Sequence, residues 1–269
     1  MALFAAWCLP SKPNRLTASI RPNSKLKDDM PASAPQQWMA KEKAWESHLR
    51  LQTKYGELEL KARRDNMREL ISTMLSHRTT HADEEKAYFR MLERFGSWEG
   101  VRDAPWEELV DAISSSRFPE PKAANIKKVL ARIFEERGVA DIDFLQDMPT
   151  EEAMHWLTSL PGVGLKTATL VLLFNFYKPV MPVDTHVHRV TQRIGIIGPK
   201  TTAEKAHDIL LDMLPKEPKV LYNFHVHFLW HGQRVCVWNV PRCQQCPVTD
   251  LCDWYQINRA VKPSSQNVA

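Results

Sequence analysis

Leu160-Pro161-Gly162-Val163-Gly164-Leu165-Lys166-Thr167-Ala168 is the stretch on which the reading of this chain turns. It lies between two segments of helical apolar spacing, Thr150 to Leu157 and Leu165 to Phe176. Two glycines one residue apart permit a tight reversal and let backbone amides turn outward at a helix start, where the dipole favours an anion such as phosphate. Tight helical turns that bind nothing use the same spacing, so the motif gains meaning only from its surroundings. Outward from it, the helical period recurs with short breaks over 37–60 (a helix plus a connection), 64–78, 83–95, 105–114, 122–137, 185–194, 202–214 and 221–230. Gly96 and Gly138 read as helix stops, and Pro105 as a first-turn proline. No stretch alternates with a period of two, and there is no internal repeat. The chain has 9 glycines in 269 residues, about half the usual share of roughly 7%. The fold class is all-α.

Composition narrows the function. The longest apolar run, Ala168 to Tyr177, is interrupted by Asn175 and falls short of the ~20 residues a membrane span needs. No membrane partner is expected. The formal net charge is +4. Lys12, Arg15, Arg21, Lys25 and Lys27 against Asp28 and Asp29 put +3 of it in residues 1–36. The remainder is nearly neutral, so any nucleic-acid contact must use a local basic patch. Residues 1–36, rich in Pro, Ser and Lys without apolar period, are expected to be a disordered tail, with Met30 or Met39 as possible true starts. Residues 259–269 read as a second tail.

Two further segments carry chemistry. In Val183-Asp184-Thr185-His186 the carboxylate stands where it N-caps the following helix, and also where it could face a reactive group. In Cys236-x6-Cys243-x2-Cys246-x5-Cys252, four of the five cysteines fall within seventeen residues. Such density is unlike a secreted disulfide framework and points to a metal centre in a reducing cytosol. By spacing alone, zinc and an iron–sulfur cluster are not separated. Cys8, in the tail, is not expected to be a ligand.

Leu-Pro-Gly-x-Gly-x-Lys, then Val-Asp-Thr-His eighteen residues after the lysine, then the six-two-five cysteine spacing, together resemble the endonuclease III family of helix-hairpin-helix DNA glycosylases over roughly residues 60–258. The resemblance implies two helical domains flanking a DNA-binding cleft. One is a six-helix barrel with the helix-hairpin-helix (60–178), and the other an iron–sulfur domain (37–59 and 179–258). It implies a [4Fe–4S] cluster on Cys236, Cys243, Cys246 and Cys252. It also implies a monomer that excises a damaged base, most readily an oxidised pyrimidine, from double-stranded DNA and then cleaves at the abasic site. The setting would be cytoplasmic, at the nucleoid in a bacterium. Lys166 would attack the sugar and form a Schiff base, with Asp184 moving protons and stabilising developing charge; the alternative for Lys166 is a surface lysine at a helix start. Gly162, Val163 and Gly164 would hold a phosphate, with His186 and Lys122 also at the DNA interface.

The reading loops depart from the family. Leu75-Ser76-His77-Arg78-Thr79-Thr80-His81 carries Arg78 where a gap-filling glutamine is common and His81 where aspartate is. Arg117-Phe118-Pro119-Glu120-Pro121-Lys122-Ala123 offers Phe118 as a wedge between bases or simply as a buried aromatic, with Pro119 and Pro121 stiffening the loop. Leu165 replaces a frequent basic residue, and Trp238-Asn239-Val240-Pro241-Arg242 keeps only Arg242 as a cation. Weaker DNA grip and an altered lesion range follow. An alkylpurine glycosylase and a weakly active or non-catalytic damage binder are the competing readings. The histidines at 186, 188, 225, 227 and 231 read as packing and hydrogen-bonding groups, because i, i+2 pairs face different sides of a helix. Trp45, Trp98, Trp106, Trp156, Trp230 and Trp254 read as core or interface anchors.

Overall fold

A computed structural model of the chain describes residues 35–260. Of the expected tails, 1–36 and 259–269, residues 1–34 and 261–269 lie outside the described residues, whereas 35–36 and 259–260 are corrected to the ends of the helices Pro35–Tyr55 and Asp253–Ala260. Among the described residues there are twelve α-helices and no strand. Local chemistry sets many of the helix starts. Asp65, Thr80, Ser97 and Thr202 each accept a backbone N–H at the openings of α2 (Asn66–Ser76), α3 (His81–Phe95), α4 (Trp98–Asp103) and α10 (Ala203–Met213). Each cap satisfies an amide with no intrahelical partner and contributes about 1 kcal/mol.

The central element is α8 (Leu165–Phe176), where Ala168, Val171, Leu172, Leu173 and Phe176 are buried. A helix this apolar around its circumference must be enclosed. It packs on α2 and on α7 (Thr150–Ser159), while α2 packs on α3 and α6 (Pro119–Arg137). Around them, α4 lies against α3 and α6, as does α5 (Trp106–Ala112). A second group gathers about α9 (Thr185–Ile194) and α11 (Pro218–Arg234), which pack on each other. Here α10 and α12 (Asp253–Ala260) lie on α9, and α1 (Pro35–Tyr55) lies on α11 and α10. Because α11 also meets α8, the two groups share one seam.

Several expectations are corrected. Helix α6 starts at Pro119, three residues early, so Pro119 and Pro121 occupy its first turn rather than stiffening a loop. Trp45 and Trp106 are exposed rather than core anchors. Helices α4 and α12 carry too few turns for a periodic signal.

Candidate active site

The hairpin joins α7 to α8. Gly162 has φ +77°, and a Cβ built there would lie 2.4 Å from Asn125 Nδ2 on α6. Glycine is therefore required by the fold at this position. Gly164 differs: its φ is −95°, and a Cβ would meet nothing within 4 Å. No side chain caps α8 and no acidic residue stands in its first turn, so its leading amides face the open space at Gly164. Val163, expected to contact DNA, is corrected. Its side chain is buried and its N–H donates to Leu160 O (3.1 Å), so it anchors the turn from inside. Gly162→Ala should then cost about 1–3 kcal/mol in urea unfolding. Gly164→Ala should stay within ~0.5 kcal/mol of the parent yet weaken DNA binding, because its methyl group fills the approach to the amides.

Lys166 is the second residue of α8 and half-buried. Asp184 opens α9, its Oδ1 accepting from the amides of His186 (2.9 Å) and Val187 (2.7 Å). The capping and chemical readings of Asp184 coexist, since both capping bonds end on one oxygen. The two side chains act on common neighbours. Burial lowers His186 and His225 and Asp184 opposes the shift at both, while Arg189 and then Lys166 add to it at His186, and Lys166 and then His186 at His225. His77 is also lowered by burial and then by Lys166, Lys122 and Arg78. The amine and the carboxylate thus share one electrostatic neighbourhood bordered by neutral imidazoles.

Arg189, which the sequence reading missed, organises this wall. It is buried on α9 and donates Nη2–H to Gly232 O (2.8 Å) and Nε–H to Cys236 O (3.1 Å). Its Nη2 also lies 3.1 Å from His186 Nδ1. A guanidinium only donates, so Nδ1 accepts and the His186 proton sits on Nε2. The available signal was an arginine three residues after His186, on one helical face. Three of the other histidines are engaged by backbone carbonyls: His188 with Thr201 O, His225 with Pro182 O and His227 with Gly56 O.

Two loops stand beside the hairpin. Arg78 (φ 55°) and Phe118 (φ 57°) both adopt the left-handed region that ordinary residues avoid, and both are exposed. The Arg78 guanidinium lies 5.9 Å from the Phe118 ring. Phe118, 53% exposed, is not a buried aromatic. Lys122 is the second correction. It is 7% exposed, and its ammonium donates inward to Leu75 O (2.6 Å), His77 O (2.8 Å), Ser116 Oγ (2.7 Å) and Thr79 Oγ1 (3.0 Å). Its three N–H groups are shared among these four oxygens, so none points outward to a phosphate. His81 sits in the first turn of α3 against Glu84 and Glu85.

The four cysteines are free of disulfides and line one cavity together with Val190, Ile194 and Trp254. Burial, with like-charge repulsion from neighbouring sulfurs, pushes Cys246 and Cys252 up to about 11. Arg193 Nη1–H donates to Cys236 Sγ (3.4 Å), and His231 Nε2 lies 3.3 Å from Cys246 Sγ. Burial holds His231 down at about 4, so it is neutral, and its Nδ1 is engaged by Tyr55 OH (3.1 Å). Arg242 is exposed at the rim, with one N–H on Arg234 O (3.2 Å). Trp238 and Val240 project from the same loop, 68% and 79% exposed.

An uncapped helical hairpin beside an amine and a carboxylate, on an all-helical scaffold, defines the class of helix-hairpin-helix DNA-repair proteins. The family described as HhH-GPD superfamily base excision DNA repair protein matches residues 71–216, and the chain belongs to it as an endonuclease III-like base excision repair glycosylase. It is similar to endonuclease III of Thermotoga maritima, 33% identical over 71% of this chain and 84% of that one. It is 28% identical to DNA glycosylase/AP lyase ROS1 of Arabidopsis thaliana, over 58% of this chain but 12% of that one. A solved structure of a trapped endonuclease III–DNA covalent intermediate with an estranged adenine superposes with TM-score 0.70 at 26% identity, covering 81% of this chain and 98% of that one.

Proposed function

We propose that the protein releases a damaged base, an oxidised pyrimidine by preference, and then cleaves the strand at the abasic site through Lys166. The observation that carries this is the uncapped hairpin with Lys166 in the first turn of α8 and Asp184 opening α9, on a scaffold that superposes on endonuclease III trapped covalently on DNA. A base inside a duplex is inaccessible, so its nucleotide must be turned out. The amides at Gly164 would hold the backbone phosphate meanwhile. The lone pair of neutral Lys166 then forms a bond to C1′ as the glycosidic bond breaks, and the base departs with that electron pair. Asp184 Oδ2, not used in capping, takes a proton from the amine as it loses basicity. Opening of the sugar ring gives the Schiff base. Loss of a C2′ proton expels the 3′ phosphate, and water releases the lysine.

Duplexes bearing different lesions, incubated with borohydride as a trap, test the reading. A covalent adduct on oxidised pyrimidines supports it, and adducts confined to alkylated purines move the substrate class. Asp184→Asn isolates the carboxylate's part. Asparagine keeps the α9 cap, so unfolding should be unchanged while base release falls roughly a hundredfold or more.

Cys236, Cys243, Cys246 and Cys252 are the residues that would hold a [4Fe–4S] cluster. An apolar cavity that raises thiols toward neutrality suits a multivalent cationic centre that ionises them. Among the described residues, no group of three or more His, Cys, Asp or Glu is gathered to hold a single metal ion. When bound, such a cluster supplies a covalent cross-link and one-electron redox chemistry. The proposed division is a hairpin-bearing barrel over 60–178 and a cluster domain over 37–59 and 179–258, acting as a monomer on duplex DNA. Leu165 and the Trp238–Arg242 loop offer few cations, which supports a shallower salt dependence of binding than a more basic surface would give.

A further inference from the structure

The geometry points to Lys122 as a positioning residue for base extrusion, holding Arg78 and Phe118 together as one two-pronged probe. This rests on the reading of those two side chains as the groups that enter the duplex. The loops that carry them come from distant parts of the chain, and the Lys122 ammonium sits between. On one side it meets Leu75 O, His77 O and Thr79 Oγ1, which bracket Arg78. On the other it meets Ser116 Oγ, two residues before Phe118. The knot is closed by the loops themselves. Ser116 Oγ–H donates to Leu75 O (2.8 Å), and Arg117 N–H donates to Thr79 Oγ1 (3.1 Å).

Two facts make this more than a structural lysine. Arg78 and Phe118 are both strained, with φ near +55°, and strain of that kind persists only where surrounding contacts over-determine it. Each strained residue flanks the knot, and both project outward with the guanidinium facing the ring. The C-terminal carbonyls of α2 carry the negative end of its dipole and attract a cation, against burial that lowers the amine to about 8. Without the ammonium, Leu75 O keeps only Ser116 as a side-chain partner, and both loops are free to relax to ordinary φ values. The probe would then splay before it reached the duplex, while the hairpin amides still held the phosphate.

The test is a duplex carrying a tetrahydrofuran abasic analogue opposite 2-aminopurine, read by fluorescence at saturating protein and by affinity. Arg78→Ala and Phe118→Ala come first: unchanged fluorescence in both sinks the reading of these residues as the inserting groups. If they abolish the signal, Lys122→Met should cut its amplitude about fivefold while the dissociation constant moves less than about threefold. That split is one a general loss of stability does not produce, since global unfolding raises the apparent dissociation constant and leaves the amplitude at saturation unchanged. Ser116→Ala keeps the ammonium but loosens the Phe118 side, and should give an intermediate amplitude even where Lys122→Met folds poorly. Full amplitude in Ser116→Ala and in any folded Lys122→Met, alongside loss in Phe118→Ala, would overturn the positioning role.

Discussion

Lys166→Ala is expected to abolish borohydride trapping on abasic DNA and to slow base release by about a thousandfold or more, roughly 4 kcal/mol of transition-state stabilisation. The magnitude follows from what is removed. A covalent step divides one difficult displacement into two easier ones, and without the amine only the electrostatic help of Asp184 and the hairpin remains. The substitution leaves the fold in place, because Lys166 stands in the first turn of α8 and is half-exposed. Alanine is the best helix former there, so thermal unfolding should change little. Lys122, which burial lowers to about 8, does not take its place, because that amine is turned inward onto four oxygens. Lys166→Arg sharpens the experiment. It keeps the positive charge and DNA affinity but offers no neutral nucleophile near pH 7, so binding should persist while trapping disappears. An adduct that still forms with Lys166→Ala would remove the lysine from the chemistry.

How far the site could be read in advance depended on whether local chemistry or tertiary packing set each residue's role. Helices α8 and α9 begin and end where the sequence placed them, because Gly164 and Asp184 fix their starts through short-range geometry. Gly162 was legible as a turn residue, although only the Asn125 contact reveals why a side chain is excluded. Val163 was misread because a motif groups neighbours that point in opposite directions. Lys122 was misread for a deeper reason. Its acceptors at Leu75, His77 and Thr79 lie more than forty residues away, and no spacing rule records where an ammonium will find carbonyls. Arg78 and Phe118 likewise carry no local signal of positive φ, a conformation ordinarily assigned to glycine or asparagine. Arg189 was passed over because its partners, Cys236 O and Gly232 O, come from α11 and the segment after it. Loops and buried polar ties, set by tertiary context, account for these misses.

The cysteine centre supports the last expectation, which is as large in stability as the lysine is in rate. Cys246→Ala should eliminate the visible thiolate-to-iron absorption and lower the unfolding free energy by at least ~3 kcal/mol. Cys246 and Cys252 are pushed up to about 11 in the protein alone, so their environment disfavours bare thiolates, and a bound cationic centre reverses that preference. The gain in ionising buried thiols is therefore stability that exists only with the centre in place. Its loss would not stay local. The cavity is walled by Val190, Arg193 and Ile194 of α9, and Arg193 reaches Val237 O and Trp238 O across the loop. Arg189, on the same helix, ties Cys236 O to His186. Loosening the 236–252 segment thus loosens the helix whose first turn fixes Asp184, and base release should fall even though no reacting atom has been touched. Arg193→Met offers a gentler probe, removing a donor to Cys236 Sγ while leaving all four ligands. Purified wild-type protein that is colourless, binds one zinc and loses no stability in Cys246→Ala would refute the iron–sulfur assignment and detach the thiols from the fold of α9.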